Sequence, residues 1–241
     1  QRIFVADLRK SNLVVSEQNK RSDQSNKNHL LIILVLLAVG LCLRLSQFNL
    51  SGLWLDECIT AYRVLSLHAV FNQNDLSPWF YPLVVFPFSQ LLGPSEFALR
   101  LPSLLAGVAF GPAIFLVLRR RWSSEVAILG GILGTLNALN IFYSGEARVY
   151  SLAMLLSVIW TGLLQELLYP LPGIQPSRAT KTAFIVLSPM VALCHHYCLY
   201  IGAAGFVVAV YRMSTDRVLR SMLWPVFTAA YTLTLVLWLP L

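Results

Sequence analysis

An all-α polytopic membrane protein is the fold class this sequence predicts, and three observations predict it. Of 241 residues, 57% are hydrophobic and only 12% charged, far more apolar surface than a soluble domain of this size can bury. The apolar residues come in runs of helix length separated by short polar turns. The cations gather in alternate turns, the pattern of a chain that weaves through a bilayer.

Residues 1–28 are polar, with Arg9, Lys10, Lys20, Arg21 and Lys27 spread among Ser, Asn and Gln, and contain no apolar core of a signal peptide. They are expected to form a disordered cytoplasmic tail. A transmembrane domain of about seven spans follows over 29–241. It ends inside an apolar run at Leu241 and is expected to continue in a longer chain. The first span covers 30–45, near the lower length for crossing ~30 Å of hydrocarbon, with Arg44 snorkelling at its end.

Residues 47–96 mix aromatic and polar residues and contain Pro78, Pro82, Pro87 and Pro94, too many for one continuous span. This stretch predicts a long first external loop carrying short interfacial helices, anchored by Trp79, Phe80 and Tyr81. Further spans are expected at 97–118, closed by Arg119-Arg120-Arg121-Trp122, and at 126–143, 149–169, 183–193, 199–211 and 222–241. The fifth and sixth are joined around His195-His196-Tyr197.

A formal charge of +7 implies a nucleic-acid partner only where the cations share one face. Here they follow the spans. With the N-terminus in the cytoplasm, fourteen of the eighteen Lys and Arg fall on the inner side, and Arg44, Arg63, Arg100 and Arg148 on the other. No nucleic acid is expected. The four cysteines form neither a CxxC pair nor a regular framework, so no disulfide scaffold is expected.

This topology brings Asp56, Glu57, Asp75, Glu96, Glu146, His195 and His196 to the outer face with the four arginines. Acids, arginines and histidines meeting there from three loops resemble a binding or catalytic cleft. Each group also has an ordinary reading. Asp56-Glu57 reads equally as a solvated loop pair, and Glu146-Ala147-Arg148 as an ion pair or helix cap within its loop. Arg100 is either a snorkelling anchor or a bidentate phosphate clamp. Cys194-His195-His196-Tyr197-Cys198 has ligand-type residues, but its adjacent histidines point to different helix faces.

The order Leu43-Arg44-Leu45, Leu53-Trp54-Leu55-Asp56-Glu57, Ser77-Pro78-Trp79-Phe80-Tyr81, Leu92-Gly93-Pro94-Ser95-Glu96-Phe97-Ala98-Leu99-Arg100-Leu101-Pro102-Ser103, Tyr143-Ser144-Gly145-Glu146-Ala147-Arg148-Val149-Tyr150 and His195-His196-Tyr197 resembles the N-terminal half of the GT-C membrane glycosyltransferases. Within them it is similar to glycosyltransferase family 39, the dolichyl-phosphate-mannose protein mannosyltransferase-like group. The likeness covers roughly residues 40–200.

The resemblance implies a GT-C-type helix bundle, multi-pass and in the plasma membrane if the source is bacterial, that moves a hexose from a polyprenyl-phosphate-linked donor to a hydroxyl with inversion. The acceptor would be a protein, a lipid or a glycan. It implies Asp56 as general base and Glu57 as its support. Arg100 and Arg148 would hold the leaving phosphate, with Arg44 and Arg63 behind them and Tyr150 in the same substrate site. His195 and His196 would touch the phosphate or a divalent metal. Glu146 would position Arg148, bind a sugar hydroxyl or share that metal. The rival expectation is a transporter or lipid flippase, whose marks are ionisable residues near the midplane, broken spans and repeated halves. A structural subunit of a larger membrane complex is a third.

Overall fold

The computed structural model describes residues 27–46, 48, 52–71 and 78–238, and all of its regular structure is helical. Helix α1 spans Lys27–Ser46. The short helices α2 (Leu55–Arg63) and α3 (Leu67–Phe71) precede α4 (Phe80–Leu92). Then come α5 (Glu96–Arg119), α6 (Ser124–Thr135), α7 (Ala138–Ser144), α8 (Tyr150–Leu168), α9 (Arg178–Cys194), α10 (His196–Thr215) and α11 (Arg217–Trp238).

Five of these, α1, α5, α8, α10 and α11, are long and apolar enough to cross a membrane. The expected third span is not one straight helix. It is the pair α6 and α7, bent by 48° at Leu136-Asn137, and it makes a sixth crossing if the two halves are counted together. The bend has a local cause: the Asn137 side chain accepts the Asn140 N–H at 2.8 Å and starts a new helix there. The expected fifth span becomes α9, which begins at Arg178 behind a Ser177 cap and has 17 residues, below the length of the other five. Among the described residues the count is therefore five or six, where about seven were expected.

The stretch before α5 carries short helices as expected, although α4 runs through Pro87. At 13 residues and ~1.5 Å per residue it reaches about 20 Å, too short for the hydrocarbon layer. Gly93, at φ 78°, ends it in a conformation that favours glycine, and Ser95 caps α5 two residues later. The polar tail up to residue 26 and Asp75 lie outside the described residues.

The core joins α8, α9 and α11 through the rings of Trp160, Phe184 and Phe227, at centroid distances of 5.4 and 5.1 Å. Trp160 Nε1 donates to Ser188 Oγ at 2.9 Å, which satisfies its one buried donor. Around this core the outward faces are apolar too, with Leu31, Val35, Leu129, Leu133, Val207 and Val236 all exposed. An apolar surface of this extent suits hydrocarbon and is poorly suited to water.

Arg120 bonds Glu166 at 2.7 Å, Arg121 bonds the Tyr169 carbonyl, and Arg212 lies 4.8 Å over the Tyr169 ring, so the α5, α8 and α10 C-termini share one end. Among the described residues that end holds nine Lys and Arg against three acids, Glu125, Glu166 and Asp216. The opposite end holds Arg44, Arg63, Arg100 and Arg148 with Asp56, Glu57, Glu96 and Glu146. The candidate residues thus gather at one end of the bundle, balanced in charge.

Candidate functional site

Helix α2 decides what the adjacent carboxylates do. Acids favour a helix N-terminus, and Glu57 Oε2 accepts the Trp54 N–H at 3.3 Å. Successive residues on a helix point about 100° apart, so the pair divides. Glu57 turns inward and is fully buried, while the Asp56 side chain stays 36% exposed.

Glu57 is held on three sides. Arg100 Nε donates to Oε1 at 2.8 Å and Nη2 to Oε2 at 2.6 Å, a bidentate pair, and the Ala147 N–H donates to Oε1 at 2.6 Å. Burial alone would push this carboxyl up, but the bonds from Arg100 and Ala147 outweigh it and hold it below the ordinary carboxylate range. Arg100 also donates to Glu96 at 3.3 Å and to the Gly52 carbonyl at 2.9 Å. With its guanidinium so occupied, Arg100 acts as a structural clamp joining α2, α5 and the turn before α8. The expected phosphate contact does not fit this geometry.

Asp56 meets Arg148. Their Oδ2 and Nη2 lie 3.3 Å apart, and Arg148 Nη1 donates to the Asp56 carbonyl at 3.2 Å. Arg148 sits over the Tyr150 ring at 5.9 Å, and its buried Nε has no hydrogen-bond partner among the described residues. Thr60 and Arg63 follow Asp56 by four and seven positions, so all three share one face of α2. With Arg148, Tyr81, His195 and His196, Thr60 and Arg63 line a cavity of about 80 Å³. Arg63 reaches it while donating to the Val70 carbonyl at 3.0 Å.

Between α9 and α10, His195 is extended, and its Nδ1 accepts the Tyr197 N–H at 3.2 Å, which starts α10. Its ring lies 5.6 Å from Tyr150. Burial, helped by His196 and Arg148, lowers its pKa, so it presents a neutral imidazole at neutral pH. Two residues not expected at the site support Arg148 from behind: Ser103 Oγ donates to its carbonyl at 2.7 Å and lies 2.7 Å from the hydroxyl of Tyr81, which is buried and is not the interfacial anchor expected. Ser103 ends the stretch Leu92–Ser103 that carries part of the resemblance. No spacing in the sequence pairs it with Tyr81.

Two expected contacts are absent from this cavity. Arg44 points into the bundle, where it donates to Asn140 Oδ1 at 2.6 Å, Ser144 Oγ at 3.2 Å, the Gly40 carbonyl at 3.0 Å and the Thr135 carbonyl at 3.4 Å. It fastens α1 to the α6–α7 bend and lines neither cavity at this end. Glu146 lines a second cavity of about 590 Å³ with Glu57, Arg100, Trp54 and Phe142, on the other side of Ala147 from Arg148. Its Oε2 is buried without a hydrogen-bond partner among the described residues, and burial together with the charge of Glu57 raises its pKa. The proposed metal group of Glu146, His195 and His196 does not assemble: no three His, Cys, Asp or Glu among the described residues are placed to hold an ion.

No known family model, curated protein or solved structure matches this chain. The chemistry of the site therefore rests on its own groups. Asp56 is a partly exposed carboxylate able to accept a proton, at the side of a small cavity lined by two arginines and two histidines. Beside it lies a larger cavity that holds acids.

Proposed function

We propose that this chain is a membrane glycosyltransferase similar to the GT-C enzymes of family 39, taking a sugar from a polyprenyl-phosphate donor. The observation that carries the reading is Asp56 beside Arg148, on the α2 face it shares with Thr60 and Arg63. The acceptor hydroxyl oxygen attacks the anomeric carbon from the face opposite the phosphate and inverts it. Its proton passes to Asp56, the carbon–oxygen bond to phosphate breaks, and polyprenyl phosphate leaves.

The leaving phosphate gains charge as that bond breaks. Arg148 and Arg63, with hydrogen-bonding help from the histidines, are preorganised to receive it. The smaller cavity gathers Arg63, Arg148, His195 and His196 on its walls, a set of groups suited to a phosphoryl group. The sugar then extends past Arg148 toward Asp56. In this reading the N-terminus is cytoplasmic and the cavities face outward, since the other end carries the excess of cations.

Among the described residues the bent α6–α7 pair is a feature that favours transport, because broken spans line transporter sites. Arg44 fills the bend with bonds to Thr135, Asn140 and Ser144, which closes it. One assay separates the two readings. Membranes containing the chain receive a panel of polyprenyl-phosphate sugars, and new acid-stable glycosidic bonds are measured. Asp56→Asn should lower transfer by about two to four orders of magnitude, as loss of a general base does, with no change in thermal stability. Full activity in that variant removes the assignment, and movement of donor without bond cleavage supports transport.

A further inference from the structure

We infer that the larger cavity receives the acceptor, and that the acceptor is a membrane-anchored amphiphile presenting a hydroxyl-bearing head to Glu146. This rests on the transferase reading and adds to it the class of acceptor and its route of access.

Charge separates the two cavities. Ala147, held by Glu57, stands between them, with Arg148 facing the smaller and Glu146 the larger. The larger is lined by Glu57, Glu146 and one cation, Arg100, whose guanidinium is engaged by Glu57, Glu96 and the Gly52 carbonyl. A phosphate brought there meets carboxylates, and only the smaller cavity offers Arg63 and Arg148. The larger one suits an uncharged, hydrogen-bond-donating group. Glu146 supplies a buried oxygen with no partner among the described residues, the acceptor such a hydroxyl needs.

Size agrees with this division. At about 590 Å³ the larger cavity lies in the ~300–1,000 Å³ range of small-molecule sites and has room for sugar rings. Asp56 pairs with Arg148 at the smaller cavity and directly precedes Glu57, which lines the larger one, so the base stands at the boundary between the two.

The walls point to the source of the head group. Leu43, Leu136, Ile141 and Phe142 line the cavity from the end of α1 and the bent pair. Leu136 and Phe142 are 53% and 61% exposed, on the outer surface of helices suited to hydrocarbon. A flank of this kind receives an alkyl chain arriving sideways from the bilayer. It offers few hydrogen-bond partners to an extended peptide.

The test uses membranes containing the chain and a polyprenyl-phosphate donor whose sugar is radiolabelled. After transfer, mild acid cleaves unused donor, and the remaining label is divided among organic extract, protein pellet and water. Acid-stable label in the organic extract is expected. Label in protein or in a water-soluble glycan overturns the acceptor class and leaves the transferase reading standing, whereas acid-stable label in no fraction sinks both. Glu146→Gln and Phe142→Glu should each raise the KM for the lipid acceptor about tenfold, the size of one lost contact, with donor KM within about twofold of the parent. A rise in donor KM with unchanged acceptor KM overturns the assignment of the cavities. Phe142 is exposed, so its replacement tests the access route without disturbing the core.

Discussion

Removing one partner from a buried, bidentate ion pair leaves the other charge desolvated, which costs far more than the pair contributes while intact. Glu57 and Arg100 stand in that relation, with Ala147 N–H as a third point of attachment. Glu57→Gln should therefore lower stability by about 3–5 kcal/mol, read as a fall in the thermal midpoint in detergent. The pH dependence has a definite sign. Because the folded carboxyl titrates below its ordinary value near 4.5, its contribution is complete above that value and is lost as pH falls through the lower folded value. The acid limb of the stability profile should be shallower in Glu57→Gln than in the parent. An identical limb would show that Glu57 is not the titrating group.

Among the elements, α5 is held closest by its neighbours, and glycine permits it. A Cβ at Gly107 would fall on Ser144 Oγ and within 2.8 Å of Arg44 Nε, and one at Gly111 would fall on Thr135 Oγ1 and within 2.8 Å of the Gly131 carbonyl. Gly107→Ala should cost about 1–3 kcal/mol by overpacking and should loosen Arg44 from Ser144, whereas Gly202→Ala, with open space around it, should be neutral in the same melting experiment. Equal midpoints for the two variants would contradict the packing argument. The apolar runs behind α1, α5, α8, α10 and α11 could be read directly from the sequence, because continuous hydrophobicity over about twenty residues needs no tertiary partner to be recognised. The break at Leu136-Asn137 could not be read that way. It has no proline, and it depends on Asn137 turning its side chain back and on Arg44, more than ninety residues away, meeting the Thr135 carbonyl. The same limit applies at the site. Asp56 and Glu57 drew notice as an acidic pair, but their opposite orientations depend on where α2 begins and on Arg100, 43 positions distant.

Taken whole, the molecule is polarised along its axis. Among the described residues nine cations against three acids mark one end, four arginines against four acids the other, and the helices between present apolar faces outward. Each Lys or Arg near an anionic leaflet contributes about 1 kcal/mol, so the imbalance is large enough to decide orientation. In the proposed orientation the two cavities face outward, and Cys58, exposed on α2 next to Glu57, serves as a native reporter of it. In a chain carrying Cys42→Ala, Cys194→Ala and Cys198→Ala, a membrane-impermeant maleimide should label Cys58 in intact cells. With Cys58→Ala added and Ser123→Cys at the opposite end, labelling should require permeabilisation, since Ser123 stands exposed between the α5 cations and α6. The reverse pattern would turn the bundle over and put Asp56, Arg148 and both cavities in the cytoplasm. A lipid-linked donor would then have to be met on the inner leaflet, against the charge distribution on which the proposed orientation rests.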